Sequence, residues 1–273
     1  MMTRTLLLHC TQPFAQYRNP FTFYYAQTFP LPPKSTIIGM LQNATGKYYC
    51  GEFWKLQVSI HGGFESVFWN YSCMIKGDVK LMNGKLMNKV MNKEFPLYGD
   101  AKTSQRTPIN MQELYNGHLW IFIRADEGFP YWNKLKQALE APSKVLCLGR
   151  TEDVIFIQKV QEISPEGEET IKKSLWTHYP TYLRSRDRHL RNIPLKNKKY
   201  PVYSIPIQVI FKNNGKPIES KTELTKKTER DTQFKTLIYA GLDSAFYLDG
   251  QIEAEIFRVD GNTFTIPVKY GWI

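Results

Sequence analysis

Leu6, Leu7 and Leu8 follow the polar residues Thr3, Arg4 and Thr5, and this compact apolar run up to Cys10 predicts an opening β-strand. Gln12 to Pro33 is irregular, with Phe14, Tyr17, Phe21, Phe23, Tyr24, Tyr25 and Phe29 interrupted by Pro13, Pro20, Pro30, Pro32 and Pro33. Pro33-Lys34-Ser35 then precedes Thr36-Ile37-Ile38-Gly39-Met40-Leu41, a helix start with Ser35 placed to cap the first turn and an end near Gly46. Phe53 to His61 alternates apolar and polar positions, and Ser66 to Lys76 is a second aromatic and β-branched run; both read as strands. Leu119 to Ala125 predicts a buried strand. Trp132, Leu135, Ala138 and Leu139 have helical spacing ahead of Pro142, and Val154 to Val160 predicts a further strand. Stripped of hairpin material, the series matches the β-α-β-β-α-β ferredoxin-like pattern of RNA-recognition domains, an α+β fold.

A long polar insertion spans about 77–117. Within it Lys80-Leu81-Met82 and Lys85-Leu86-Met87 flank Asn83-Gly84, a strong hairpin signal, and Tyr98 to Pro108 reads as a basic loop. The last third predicts strands at Tyr203–Phe211, Ala254–Phe257 and Phe264–Val268, and a helix at Thr232–Leu242. With a boundary near Ser164-Pro165-Glu166-Gly167, the expected domains are 1–163 and a smaller, basic, β-rich region at 164–273.

Charge sharpens this picture. Lys and Arg number 36 against 25 Asp and Glu, a net of +11. Residues 171–235 alone hold 16 Lys/Arg and 5 Asp/Glu, so the rest of the chain is neutral in sum. Arg184, Arg186, Arg188, Arg191, Lys196, Lys198 and Lys199 face only Asp187, a concentration suited to a phosphate track.

Other classes are disfavoured. No apolar run reaches the ~18–20 residues that span a bilayer, the opening segment is too short for a secretory signal, and a cytoplasmic protein without membrane partners is expected. Cys10, Cys50, Cys73 and Cys147 are scattered, consistent with reduced thiols. His9, His61, His118, His178 and His189 are too dispersed for a metal cluster, and glycine-rich phosphate loops, zincin and hydrolase motifs are missing. Neither a metal nor a cofactor is expected.

What remains is anion binding beside aromatics. Lys34, Ser35 and Thr36 stand at a helix start, where unpaired N–H groups attract phosphate; the alternative is a plain cap with an exposed lysine. Arg18-Asn19 pairs a phosphate contact with a base-edge donor, and neighbouring Tyr17 and Phe21 either stack on bases or fill the core. Arg150 either grips a phosphate or pairs with Glu152 or Asp153. Lys102, Gln105 and Arg106 add cations and a polar group in the insertion, and Arg184, Arg186 and Arg188 form the basic tract.

Three segments carry a resemblance: Leu8-His9-Cys10-Thr11-Gln12-Pro13-Phe14-Ala15, Tyr17-Arg18-Asn19-Pro20, and Pro30 through Leu41 with its Pro-Pro-Lys-Ser-Thr-Ile-Ile-Gly-Met-Leu run. Together they are similar to the amino-terminal signature of the CRISPR-associated protein 5 family, in a type I-B-like variant. Gln112-Glu113-Leu114 and Leu148-Gly149-Arg150-Thr151-Glu152 resemble further family features. The resemblance implies a repeat-associated (RAMP) ferredoxin-like domain with a β-hairpin thumb at the insertion. It also implies a non-catalytic subunit of a type I surveillance complex, Cascade. Such a subunit caps the 5′ handle of the CRISPR RNA beside the backbone and large subunits, and meets target DNA indirectly. One branch of the family cleaves precursor RNA with a Tyr, Lys and His set. Tyr48 or Tyr49 and His118 stand in comparable places, but Asn116-Gly117 before His118 supplies no adjacent lysine.

Overall fold

In the computed structural model, which describes residues 3–22, 24–76, 80–82, 85–87, 105–184, 200–225, 227–240, 244–247 and 250–273, the leucines of the first strand divide between two cores. Strand β1 (Thr3–Ala15) turns Leu6, Leu8 and Cys10 to one face and Leu7 to the other, as the two-residue period of a strand requires. The described residues group into two compact units, one comprising Met1–Tyr17, Phe29–Ser66 and Leu114–Ile273, the other Arg18–Thr28 and Val67–Glu113.

In the first unit, α1 (Lys34–Thr45) and α2 (Trp132–Glu140) cover one sheet face. Ile37, Ile38, Met40, Leu41, Trp132, Leu135 and Leu139 join Leu6 and Leu8 there, together with Val58 and Ile60 of β3 (Gln57–Lys76) and Leu119, Ile121 and Ile123 of β6 (Gln105–Asp126). The opposite face packs Leu7 and Phe122 against Phe257 and Phe264 from the hairpin β15 (Ile252–Val259) and β16 (Asn262–Pro267), and against Trp272, which follows it. Both faces of the central strands are therefore buried, which accounts for their nearly continuous apolar sequence. β1 pairs antiparallel with β6 on one side and with β7 (Phe156–Ile163) on the other.

Beyond β3 the sheet continues through β10 (Thr181–Arg184), β13 (Glu229–Ala240), β11 (Val202–Asn213) and the short β12 (Lys216–Pro217). Smaller pairings join β8 (Gly167–Ile171) to β15, and β9 (Ser174–Thr177) to β14 (Ser244–Tyr247). In the second unit, β2 (Tyr25–Ala26) runs parallel to β6 through Asn110 and Met111. There too β4 (Lys80–Met82) and β5 (Lys85–Met87) pair as a hairpin, with Met82 opposite Lys85.

Several local expectations change. The helix expected at Thr232–Leu242 is strand β13, because β-branched and aromatic residues recur at every second position (Thr232, Phe234, Thr236, Ile238) and pair along β11, with β10 added on the other side from Leu237 to Ala240. The strand expected from Phe53 starts at Gln57, after a 3-10 turn at Gly51–Lys55 that buries Phe53. The two runs between Gln57 and Lys76 form one strand, and Gln105 to Pro108 belongs to β6 instead of a loop. Pro33, not Ser35, precedes the first helical residue, and it offers no side-chain cap. Lys102, Arg186 and Arg188 lie outside the described residues.

Candidate nucleic-acid interface

The site begins with strand register. β10 and β13 align Tyr182 with Tyr239 and Arg184 with Leu237, so Lys235, two residues along β13, shares the face of Arg184. Lys235 stands opposite Ile205 of β11. This face turns toward the helical core, since Tyr182, Leu237 and Ile205 are all part of it. The Tyr182 hydroxyl donates to the Leu31 carbonyl at 2.9 Å and accepts from the Leu31 amide at 3.1 Å. That clamp ties the segment entering α1 to β10 and brings Lys34 beside the two cations.

Lys34 is only 9% exposed, and no acidic residue partners it among the described residues. Burial first, then the charges of Lys235 and Arg184, pushes its ammonium pKa down to about 8. Lys235 is lowered in the same direction by burial and by Arg184. The Arg184 guanidinium is steered by the Lys269 carbonyl at 2.9 Å. No acidic residue stands in the first turn of α1, so the positive end of the helix adds to the same field. Three cations brought together with no carboxylate partner among the described residues favour an anion with several acceptor oxygens, as a phosphodiester provides.

Ser35 and Thr36, next along α1, line a cavity of about 700 Å³ that also holds Tyr48, Tyr49 and Arg150. The Tyr48 hydroxyl donates to Asn43 Oδ1 at 2.6 Å and accepts from Lys144 Nζ at 3.1 Å. Lys221 Nζ stands 3.9 Å from the centre of its ring. The Lys144 hydrogen bond, reinforced by both positive charges, lowers the phenol pKa. Arg150 bonds Asp153 at 2.8 Å and approaches Glu152 at 3.3 Å, closing the Gly149–Asp153 turn. Gly149, at φ +123°, is required here, because a Cβ would sit 2.5 Å from the Asp153 carboxylate.

The other candidates are placed by their own elements. Tyr17 is buried, donates its hydroxyl to Gln12 and meets Phe64 edge-on, so its ring fills the core. His118 is exposed on β6 opposite Thr11 and is not among the residues lining the cavity that holds Tyr48 and Tyr49. In the second unit, Arg18 is exposed and bridges Thr28, and Asn19 Oδ1 accepts from the Phe21 amide. Tyr25 and Trp69, both more than half exposed, meet edge-on there. Gln105 and Arg106 lie on β6. Lys235, Lys144 and Lys221 were not singled out by the sequence. Lys221 and Lys235 belonged to the basic stretch, whereas Lys144 carried no local signal.

Among the described residues, no group of three or more His, Cys, Asp or Glu side chains converges to hold a metal ion, and no helix is long and apolar enough to cross a membrane.

The sequence profile of the CRISPR-associated protein (Cas_Cas5) family matches residues 5–237. No curated protein sequence matches the chain. A chain of a CRISPR RNA-guided surveillance complex aligns at 12% identity and TM-score 0.48, covering 89% of this chain and 90% of that one. A CRISPR protein from Archaeoglobus fulgidus aligns at 12% identity and TM-score 0.42, covering 97% and 98%.

Proposed function

The chain belongs to the CRISPR-associated protein (Cas_Cas5) family, and from that membership we propose that it is a non-catalytic RNA-binding subunit of a type I surveillance complex, Cascade, that caps the 5′ handle of the CRISPR RNA. The observation that carries this reading is Lys34, nearly buried and without an acidic partner among the described residues, beside Arg184 and Lys235. A buried cation is costly unless an anion completes it, and the handle phosphates supply that anion.

The series β1-α1-β3-β6-α2-β7 and the strand order β3-β6-β1-β7 support a ferredoxin-like RAMP domain. The β4–β5 hairpin supports a thumb that bends the RNA. In this role the protein works in the cytoplasm, contacts the backbone and large subunits, and meets target DNA only through the assembled complex.

A second reading, a metal-independent endoribonuclease, is favoured by one observation: a phenol of lowered pKa at Tyr48 held between Lys144 and Lys221. One experiment separates the two. Labelled repeat RNA, scrambled RNA and duplex DNA are titrated across a salt series without metal. Preferential, uncleaved retention of repeat RNA is expected. Cutting at one repeat position would establish the nuclease, and equal, salt-sensitive binding to all three would defeat handle recognition.

A further inference from the structure

Gly39 stands in the middle of α1, where glycine costs a helix ~1 kcal/mol relative to alanine. Its packing does not require it. A Cβ built there meets nothing within 4 Å, and its φ is not among the positive values. The open space is the 700 Å³ cavity, which Gly39 lines. A helical glycine facing an open cavity exposes bare backbone for close approach by a ligand.

The walls define that ligand's chemistry. Tyr49 and Phe211 meet edge-on at 5.5 Å and, with Trp54, supply aromatic surface. Tyr49 holds φ +60°, a conformation that costs a bulky residue energy and persists at binding sites. Arg230 stands opposite Phe211 in the β11–β13 register and brings positive charge to that wall. Lys144 and Lys221 bracket Tyr48 with two more cations. Gln208 can pair with a base edge, and Glu219, a carboxylate among the lining residues, can accept from exocyclic amines. Flat apolar walls, hydrogen-bonding groups and flanking cations match one nucleotide, and the volume lies within the range of small-molecule sites.

We propose that this cavity receives a single unpaired nucleotide turned out of the bound RNA strand, its base against Gly39 and the aromatic wall and its phosphate toward Lys144 and Lys221. The assignment rests on the RNA-binding reading. Ser35 and Thr36 line the cavity and follow Lys34 directly, so the phosphate site and the base pocket share the first turn of α1.

The test fills the pocket without harming the helix. Gly39→Ala and Gly39→Phe both restore helix propensity, so thermal stability is expected to hold or rise. Repeat-RNA affinity of Gly39→Phe is expected to fall roughly tenfold or more, the scale of one lost base-stacking contact. Photo-crosslinks from a 4-thiouridine-substituted RNA to Tyr48, Tyr49 or Trp54 are expected to disappear in the same variant. Unchanged affinity and crosslinks in Gly39→Phe, alongside loss of binding in Arg184→Ala, would overturn the pocket and leave the RNA reading intact. If the wild-type protein retains no RNA, titration with adenosine and uridine 5′-monophosphates decides the matter. Binding abolished by Gly39→Phe then keeps a nucleotide pocket but overturns its occupant as part of an RNA strand, and no binding overturns both.

Discussion

Tyr182 brackets Leu31 with its hydroxyl, accepting from the amide and donating to the carbonyl across 151 residues of sequence. Tyr182 is fully buried, so both backbone groups of Leu31 depend on one side chain. Tyr182→Phe is expected to lower unfolding free energy by ~1–3 kcal/mol, the cost of leaving buried polar groups unmade, as read by the denaturant midpoint. RNA affinity should fall as well, because the Lys34 segment loses its anchor.

Lys34 makes RNA binding and stability respond oppositely to pH. Its folded pKa of about 8 lies below the ordinary value of ~10.4. Phosphate favours the protonated form, so affinity is expected to decline above pH 8 by at most roughly tenfold per pH unit. Between the two pKa values the unfolded chain keeps a proton that the folded chain has lost, so this residue adds stability as pH rises. Lys34→Arg should flatten both profiles, because a guanidinium stays charged. An unchanged affinity profile in that variant would remove Lys34 from the interface.

Arg184→Ala and Lys235→Ala are each expected to weaken RNA binding across all sequences. Each should also reduce the slope of log affinity against log salt by ~0.7 for a single strand. A slope unchanged in both variants would mean that neither meets a phosphate.

Arg124 and Glu255 form a nearly buried ion pair at 2.6 Å, with the guanidinium 3.7 Å from the Trp272 ring centre and the carboxylate accepting from Trp272 Nε1. Glu255→Ala strands a charge and is expected to cost ~3–5 kcal/mol; Arg124→Met/Glu255→Met together should cost much less. Thermal unfolding of the three proteins distinguishes a coupled pair from two independent contacts.

Lys144→Ala is expected to return the Tyr48 phenol toward its ordinary pKa, since the Lys144 hydrogen bond is the largest cause of its depression. Ultraviolet titration of tyrosinate against the wild type reads that shift. Repeat RNA incubated with either protein should remain intact; site-specific products lost in Tyr48→Phe would replace the capping role with cleavage.

Local patterns made much of the first half of the fold legible. Leu6 to Leu8, the Pro33-Lys34-Ser35 helix entry, the run at Leu119 to Ala125 and the Lys80–Met87 hairpin each depend on neighbours within a few residues, and each lies in an element of the expected type. The family resemblance, strongest over roughly the first 45 residues, and the net charge also belong to the chain itself. β13 was legible only in part: Thr232, Phe234, Thr236 and Ile238 recur at every second position, but the same stretch also reads as a helix until β11 and β10 take its hydrogen bonds.

The site divides in the same way. The sequence by itself determined that cations are plentiful between residues 171 and 235 and that a helix starts close to Lys34. Tertiary structure decided which cations meet: antiparallel register sets Lys235 on the face of Arg184, and the Tyr182 clamp draws Lys34 to them. Burial then lowers the Lys34 pKa, and no local pattern carries that information, because desolvation depends on the strands that close over the side chain.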